Sequence, residues 1–298
     1  MSLLASAITR RLETEPGALI QYQILPRPGA PTLVLANGLG GRLYAWEPLV
    51  ERLASRYQIL SWDYRGLFGS GAPSYPRALA IPSHARDLHK ILAHEGVERA
   101  SLVGWSMGVQ VSLEAALQAP RRIERLVLLN GTYGHVFQTG LQPLFRAPGV
   151  PSMLHAIVER LTQPSSLPAL WVQACARHPL HVRPLVALLN QVRRKASVGS
   201  LYAQYVEDVF GSSFPNYLRL FQELDAHSVY HYLPRLKHQA LVVSGALDWL
   251  TPARQAFRVA KRLPHAEHLH LPLASHFALI EYPERVSDRI EAFLEAGD

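Results

Sequence analysis

Short apolar runs typical of β-strands recur along the first half of the chain. These strand-like runs are 17–25, 31–38, 57–66, 99–105 and 124–131. Helices are predicted between them, over 84–96 and 107–120, and they end at Gly96 and Pro120. Most of the strand-like runs are apolar throughout rather than alternating, which is typical of strands with both faces buried. The pattern therefore predicts an α/β fold with a mostly parallel sheet between layers of helices.

This alternation stops near residue 134 and resumes near residue 237. The intervening segment is rich in Pro, His and Arg and has no strand-like run. Helices are predicted there at 151–161, 183–195 and 200–210. Because both ends rejoin one continuing pattern, we predict an α/β core domain of residues 1–133 and 237–298, interrupted by a helical cap of residues 134–236. A separately folded insertion is the alternative.

The stretch VGWSMG places Ser106 between two glycines, directly after a predicted strand and at the start of a predicted helix. A nucleophile elbow occupies this strand-to-helix position. Side chains two positions on either side would collide with the strand and the helix, and Gly104 and Gly108 carry none. The helix start also directs free N–H groups at the site. Ser106 is therefore a candidate nucleophile, the alternative being a buried turn serine.

A serine hydroxyl needs a base to remove its proton, and the usual base is a histidine oriented by a carboxylate. Asp248 follows the predicted strand 238–245, and His276 follows a predicted strand near 266–273. Since parallel strands end at one edge of a sheet, we expect both to meet Ser106 there. Asp248 in a turn or helix cap, and His276 as a surface histidine, are the alternatives.

The glycine-rich turn in VLANGLGG follows an early strand and lets backbone N–H groups approach a substrate oxygen. We assign the oxyanion donors to the main-chain amides of Leu39 and Met107. Asn37 either shapes this turn or forms hydrogen bonds near the oxyanion, and Trp105 is either a pocket wall or a core residue. The candidate substrate contacts are Asn37, Trp105 and, in the cap, Trp171, Phe214 and Tyr217.

Three motifs, GWSMG, SGALDWLTP and ASHFALIEYPERVSDRIEAFL, together resemble those of α/β-hydrolase-fold enzymes, and the resemblance covers nearly all of the chain outside 134–236. The order Ser106, Asp248, His276 is the order expected of this family. The resemblance implies an eight-stranded, mostly parallel sheet flanked by helices, with a cap inserted after strand six. Two features depart from the family: Asn37 stands where many relatives have His, and the loop DYRGLFGSG (63–71) is one residue longer.

The family resemblance and these residues favour a serine hydrolase that cleaves hydrophobic small-molecule esters, similar to carboxylesterases and lipases. C–C bond hydrolases, thioesterases, amidases and acyltransferases share the triad and remain alternatives. Epoxide hydrolases and haloalkane dehalogenases would require Asp at position 106. A ligand-binding protein with inactive chemistry is the hypothesis from another class, and such proteins typically lose a triad member. No cofactor is expected.

The composition is globular, with 48% hydrophobic and 18% charged residues in 298. The single cysteine, Cys175, excludes an internal disulfide and a multi-cysteine zinc site. His268 and His270 share one face of a predicted strand, but no third metal ligand is evident in the sequence, so no metal is expected. The net charge of +7 is spread along the chain without a nucleic-acid-binding motif, so no nucleic-acid partner is expected.

The amino-terminal residues have their arginines after a short apolar stretch, which is the wrong order for a signal peptide. The sequence also lacks a run of 18 apolar residues, so no membrane span is expected. These observations predict a cytoplasmic protein. They leave the oligomeric state open between monomer and homodimer.

Overall fold

A computed structural model describes residues 3–75, 77–136, 149–162, 201, 204–205, 207–209 and 214–296 of the chain. The strands are β1 (Ile8–Glu15), β2 (Ala18–Leu25), β3 (Thr32–Ala36), β4 (Gln58–Trp62), β5 (Ala100–Trp105), β6 (Ile123–Leu129), β7 (Gln239–Gly245) and β8 (Ala266–Leu271). The α-helices are α1 (Glu47–Leu53), α2 (Ile81–His94), α3 (Met107–Gln118), α4 (Val150–Thr162), α5 (Phe214–Ala226), α6 (Ala253–Arg262), α7 (Ala278–Glu281) and α8 (Pro283–Glu295).

The eight strands of the described residues form one sheet in the order β1-β2-β4-β3-β5-β6-β7-β8. Strand β2 runs antiparallel to both of its neighbours, and the remaining pairs are parallel. The carboxyl ends of β3 to β8 therefore lie along one edge of the sheet, where Ala36 is opposite Gly104 and Trp105 is opposite Leu129. The predicted eight-stranded, mostly parallel sheet with flanking helices is confirmed.

The sheet has apolar side chains on both faces, and every residue of β3 and β5 is buried. Leu102 of β5 belongs to a core cluster that includes α2, α3 and α6, whereas the adjacent Val103 belongs to a cluster that includes α1 and α8. Each buried Leu or Val side chain stabilises the fold by roughly 1.5–3 kcal/mol relative to exposure. This burial on both sides explains why the central strands are apolar throughout.

Helix α4 confirms the helix predicted over 151–161, and it packs against α5. A β-bridge pairs Gly134 with Ser228, so the chain that leaves β6 meets the chain that leaves α5. None of the helices in the described part of the chain is long and apolar enough to cross a membrane.

The other helices predicted after β6 lie wholly or partly beyond the described residues. The segment 183–195 is outside them, and within 200–210 the described residues are helical. The division into a core of residues 1–133 and 237–298 and a cap of residues 134–236 stays a prediction.

Candidate active site

Ser106 lies at the junction between β5 and α3 with a backbone conformation that side chains rarely adopt, φ 57° and ψ −115°. A Cβ at Gly104 would lie 2.4 Å from the Gly108 oxygen, and one at Gly108 would lie 2.0 Å from the Ala36 oxygen. Both contacts are with main-chain atoms, so a larger residue could not be accommodated by a side-chain movement. The Ser106 N–H donates a 3.0 Å bond to the Leu129 oxygen, which fixes the turn to β6. The junction thus has the geometry of a nucleophile elbow.

Asp248 and His276, which follow β7 and β8, form a hydrogen-bonded pair. His276 Nδ1 lies 3.0 Å from Oδ2 and 3.1 Å from Oδ1 of Asp248. Both side chains are buried, with 2% of Asp248 and 6% of His276 exposed. Because a carboxylate only accepts, Nδ1 must be the protonated ring nitrogen, and Nε2 is then the acceptor. The imidazole is therefore held in the tautomer that a general base requires.

The Asp248 carboxylate accepts further hydrogen bonds from Thr251 and Asn130. The Thr251 N–H donates at 2.8 Å and Asn130 Nδ2 donates at 3.0 Å. The Thr251 hydroxyl has two acceptors at 2.7 Å, Asp248 Oδ2 and the Asn130 main-chain oxygen, which share its one hydrogen. Burial acts to raise the pKa of Asp248, but the adjacent His276 and the Thr251 donors outweigh it and lower that pKa below its ordinary value. The carboxylate is accordingly ionised at neutral pH. Asp248 also closes a turn with Thr251, so the turn role and the pairing with His276 coexist.

The roles of Asn130 and Thr251 were not predicted from the sequence. Asn130 follows β6, the strand next to that of Ser106, and its Nδ2 also donates a 3.0 Å bond to the Ser275 oxygen. The side chain thus connects the Asp248 loop to the loop of His276. A polar residue at the carboxyl end of an apolar strand was the available signal for Asn130.

The turn that contains Leu39 is closed by a 2.9 Å bond from the Gly41 N–H to the Gly38 oxygen. Within the described part of the chain, neither the Leu39 amide nor the Met107 amide has a hydrogen-bond acceptor. A Cβ at Gly38 would lie 2.8 Å from the Trp105 ring, so this turn packs against the residue before Ser106. The assignment of the two amides as oxyanion donors stays a prediction.

The Asn37 side chain is buried in a hydrogen-bond network below this turn. Its Nδ2 donates to Ser61 Oγ at 3.1 Å and to the Trp62 oxygen at 2.9 Å, and its Oδ1 accepts from Trp46 Nε1 at 2.8 Å. The Tyr64 hydroxyl donates to the Asn37 main-chain oxygen at 2.7 Å. Both amide hydrogens and the amide oxygen have partners. These contacts favour the turn-shaping role of Asn37 over a contact with substrate.

Trp105 is buried beside His276, with ring centroids 5.8 Å apart, and its ring also contacts Phe277. Trp171 lies outside the described residues, and the Phe214 side chain is not described either. Tyr217 is described, and its ring would be 3.2 Å from a Cβ placed on Gly40. Of the predicted cap contacts, the structure thus places Tyr217 against the turn that follows β3.

The histidines on β8 lie apart from this pair. Ser244 Oγ lies 2.8 Å from His268 Nε2 and 3.0 Å from His270 Nδ1, and the Phe257 ring packs against both. Among the described residues, no group of three potential metal ligands comes together. The hydroxyl and the phenyl ring account for the observed contacts of these two imidazoles.

Residues 31–283 match the family model of the alpha/beta hydrolase fold. The chain is 29% identical over 281 residues to the Agrobacterium fabrum protein named "Putative carbamate hydrolase RutD". The aligned region covers 90% of this chain and 95% of that protein. A Caulobacter segnis protein of the same name is 27% identical over 291 residues, covering 95% of this chain and 98% of that protein.

Solved structures share the fold over nearly the full chain. A hydrolase from Pseudomonas aeruginosa PA01 superposes with a TM-score of 0.76 at 23% identity, covering 97% of this chain and 98% of that one. The enol-lactonase from Burkholderia xenovorans LB400 superposes with a TM-score of 0.74 at 23% identity, covering 96% of this chain and 99% of that one. An esterase from Exiguobacterium antarcticum superposes with a TM-score of 0.74 at 15% identity, covering 97% of this chain and 100% of that one.

Proposed function

Because this chain belongs to the alpha/beta hydrolase fold family, we propose that it is a serine hydrolase that cleaves carboxylic esters through an acyl-enzyme. One observation carries the proposal. The hydrogen-bonded His276–Asp248 pair lies at the sheet edge where Ser106 occupies a strained elbow. A serine, a histidine with a fixed tautomer and an ionised carboxylate are the components of nucleophilic acyl transfer.

In the proposed reaction, Ser106 Oγ attacks the acyl carbon while His276 Nε2 takes the hydroxyl proton. The carbonyl oxygen gains negative charge, which the Leu39 and Met107 amides stabilise by donating hydrogen bonds. His276 then gives its proton to the leaving alkoxide, and the acyl group stays on Ser106. Water attacks the acyl-enzyme with His276 again as base, and the acid leaves as Ser106 regains its proton. Removal of one oxyanion donor typically costs about 10²–10³ in turnover.

Hydrophobic acyl or alcohol groups suit the surroundings of the proposed nucleophile. Trp105, Phe277 and Tyr205 form a set of mutually contacting aromatic rings beside His276, with centroid separations of 5.3–5.7 Å. Aromatic side chains supply apolar contact area with few rotatable bonds. These contacts support small hydrophobic esters as the substrate class.

Carbamate hydrolysis is the second candidate, and similarity to the RutD proteins over nine-tenths of this chain favours it. A carbamate carbonyl is attacked by the same serine and gives a carbamoyl-enzyme. Its nitrogen donates electrons to the carbonyl, which lowers the electrophilicity of the carbon. An enzyme adapted to carbamates would therefore hydrolyse activated esters as well, whereas an enzyme adapted to esters would hydrolyse carbamates poorly.

The test combines labelling with a substrate panel. A fluorophosphonate should label wild-type protein at Ser106, identified by peptide mass spectrometry, and should not label Ser106→Ala. Turnover of p-nitrophenyl esters and p-nitrophenyl carbamates, with an amide and a thioester alongside, then ranks the bonds. Absence of labelling and of all turnover would support the ligand-binding alternative. Carbamates exceeding esters in kcat/KM would favour the second candidate.

A further inference from the structure

Tyr205, a residue of the predicted cap (134–236), contacts the main chain of the turn proposed to hold the oxyanion. Its hydroxyl donates a 2.8 Å hydrogen bond to the carbonyl oxygen of Leu39. The two residues are 166 positions apart, so this bond joins the cap segment to the loop after β3. Leu39 is the residue whose own amide is the proposed oxyanion donor.

Side chains of the predicted cap also pack against the Leu39–Gly40 peptide. Gly40 has φ +79°, and a Cβ there would lie 2.6 Å from Val209 Cγ2 and 3.2 Å from Tyr217 Cε2. The cap side chains thus pack directly onto the glycine that follows Leu39. A residue with a side chain at position 40 would be excluded both by φ and by these contacts.

The peptide that carries the Leu39 N–H therefore lies between two carbonyl groups that each accept a tyrosine hydroxyl. On the preceding side, the Asn37 carbonyl accepts the Tyr64 hydroxyl at 2.7 Å. On the following side, the Leu39 carbonyl accepts the Tyr205 hydroxyl. Because successive peptide planes are connected only through φ and ψ, fixing the carbonyls on both sides limits the direction in which the intervening N–H can point.

The Tyr205 ring is itself oriented by the aromatic residues beside His276. Its centroid lies 5.7 Å from that of Trp105 and 5.4 Å from that of Phe277, the latter edge to face. Burial raises the pKa of the Tyr205 phenol well above its ordinary value, so the hydroxyl remains a donor throughout the neutral and mildly alkaline range. Ring and hydroxyl together form a directional contact.

We propose that Tyr205 is a positioning residue for the oxyanion turn, so that the predicted cap acts on the chemical step as well as on substrate selection. This inference rests on the proposed serine-hydrolase function. A preorganised donor stabilises charge that develops only in the transition state, so misalignment of the Leu39 amide should reduce kcat. A residue that merely lines the acyl pocket should instead change KM in a manner that depends on chain length.

The test is Tyr205→Phe, which keeps the ring and removes the hydroxyl. Tyr230→Phe is the matched control, since Tyr230 is another half-buried tyrosine of 134–236 whose ring packs against Tyr133 and Arg262. The readouts are kcat and KM for p-nitrophenyl acetate and octanoate, and the inhibition constant of an alkyl trifluoromethyl ketone. Ser106 Oγ adds to that ketone to give an anionic hemiketal oxygen, with the serine proton kept on His276.

Tyr205→Phe should lower kcat for both esters by roughly 3- to 12-fold, the value of one hydrogen bond. The acetate-to-octanoate ratio should stay within twofold, and the ketone should bind more weakly by the same factor as kcat/KM falls. Tyr230→Phe should match wild type. Replacement of Tyr205 by 4-aminophenylalanine, which restores a donor on the ring, should recover most of the loss, which a folding defect would not.

Unchanged kcat in a folded Tyr205→Phe variant would overturn the inference. So would a change confined to one ester through KM, or a lower kcat without weaker ketone binding. If wild-type protein is labelled by a fluorophosphonate and Ser106→Ala is inactive, these outcomes reject the role of Tyr205 alone. If wild-type protein neither reacts with the label nor cleaves either ester, the serine-hydrolase function fails and this inference fails with it.

Discussion

The indole Nε1 of Trp105 donates a 3.0 Å hydrogen bond to the main-chain oxygen of His276, a residue 171 positions later in the chain. Trp105 is the last residue of β5 and directly precedes Ser106, so the bond joins the elbow to the loop that carries the imidazole. Acyl transfer depends on the relative placement of nucleophile and base to within about 1 Å. This contact therefore connects the backbone beside the proposed nucleophile to the backbone of the proposed base.

Trp105→Phe should lower kcat for a small activated ester by roughly 3- to 12-fold, because it removes one hydrogen bond that positions His276. The control is Trp249→Phe, since Trp249 is 70% exposed. Steady-state kinetics with p-nitrophenyl acetate measure both variants. If Trp105→Phe retains full turnover, the hydrogen bond does not position the base.

Ser106→Ala and Ser106→Gly should both abolish ester hydrolysis, yet they should differ in stability. At φ 57° and ψ −115°, an alanine keeps the backbone strain and a glycine releases it. We expect the free energy of unfolding of Ser106→Gly to exceed that of Ser106→Ala by roughly 1 kcal/mol, measured by urea denaturation. Retained turnover in both variants would exclude Ser106 as nucleophile, and equal stabilities would show that the elbow is not strained.

The sequence was sufficient to predict the central strands, because residues such as Leu102 and Val103 are buried on opposite faces of one sheet and both must be apolar. Strand β1 (Ile8–Glu15) was not predicted. Among the described strands it lies at the edge of the sheet and pairs with β2 alone, and most of its residues are exposed, so its sequence ITRRLETE has no apolar run to reveal it.

The elbow and the Asp248–His276 pairing could be predicted because their residues follow recognisable strands. The hydrogen bonds of Asn130 and Tyr205 could not. Asn130 stands at the carboxyl end of an apolar strand, but its partner Asp248, like the Leu39 partner of Tyr205, is more than a hundred positions away, and such pairings depend on how the loops and the predicted cap segment pack. No periodicity in the sequence encodes such contacts, and each is a single polar group among many.

His84 should make the protein sensitive to acid. Burial, with the charges of Arg65 and Arg86, lowers its pKa to about 3, and its Nε2–H donates to the Leu79 oxygen at 3.0 Å. The unfolded chain takes up this proton near pH 6.5, whereas the folded protein does not until about pH 3. The contribution of neutral His84 to the free energy of unfolding is thus fully present above pH 6.5 and is lost as the pH falls from 6.5 towards about 3.

The expected slope is up to about 1.4 kcal/mol of unfolding free energy per pH unit below 6.5. His84→Gln keeps a donor for Leu79 and should reduce this slope, whereas His94→Gln, at an exposed position of the same helix, should not. Urea denaturation at pH 7, 6 and 5 provides the comparison. Identical slopes for His84→Gln and wild type would show that another group governs acid sensitivity.

The last prediction separates Asp248 from the residues that hold it. Asp248→Asn replaces an acceptor of the Nδ1 proton with an amide, and the amide can donate to the imidazole and favour the wrong tautomer. Turnover should fall by about 10⁴, as when the acid of such a triad becomes an amide. Thr251→Val removes the Oγ1 contacts with Asp248 Oδ2 and with the Asn130 oxygen, both at 2.7 Å, and leaves Asp248 with the donors Thr251 N–H at 2.8 Å and Asn130 Nδ2 at 3.0 Å, so a fall of roughly 3- to 12-fold is expected. Both variants should remain folded by thermal unfolding. If Asp248→Asn keeps more than a tenth of wild-type kcat, the carboxylate serves the turn with Thr251 and another group must orient His276. The Thr251 hydroxyl also lies 3.2 Å from His276 Nδ1. If Thr251→Val loses as much turnover as Asp248→Asn, this hydroxyl is itself the group that orients the imidazole.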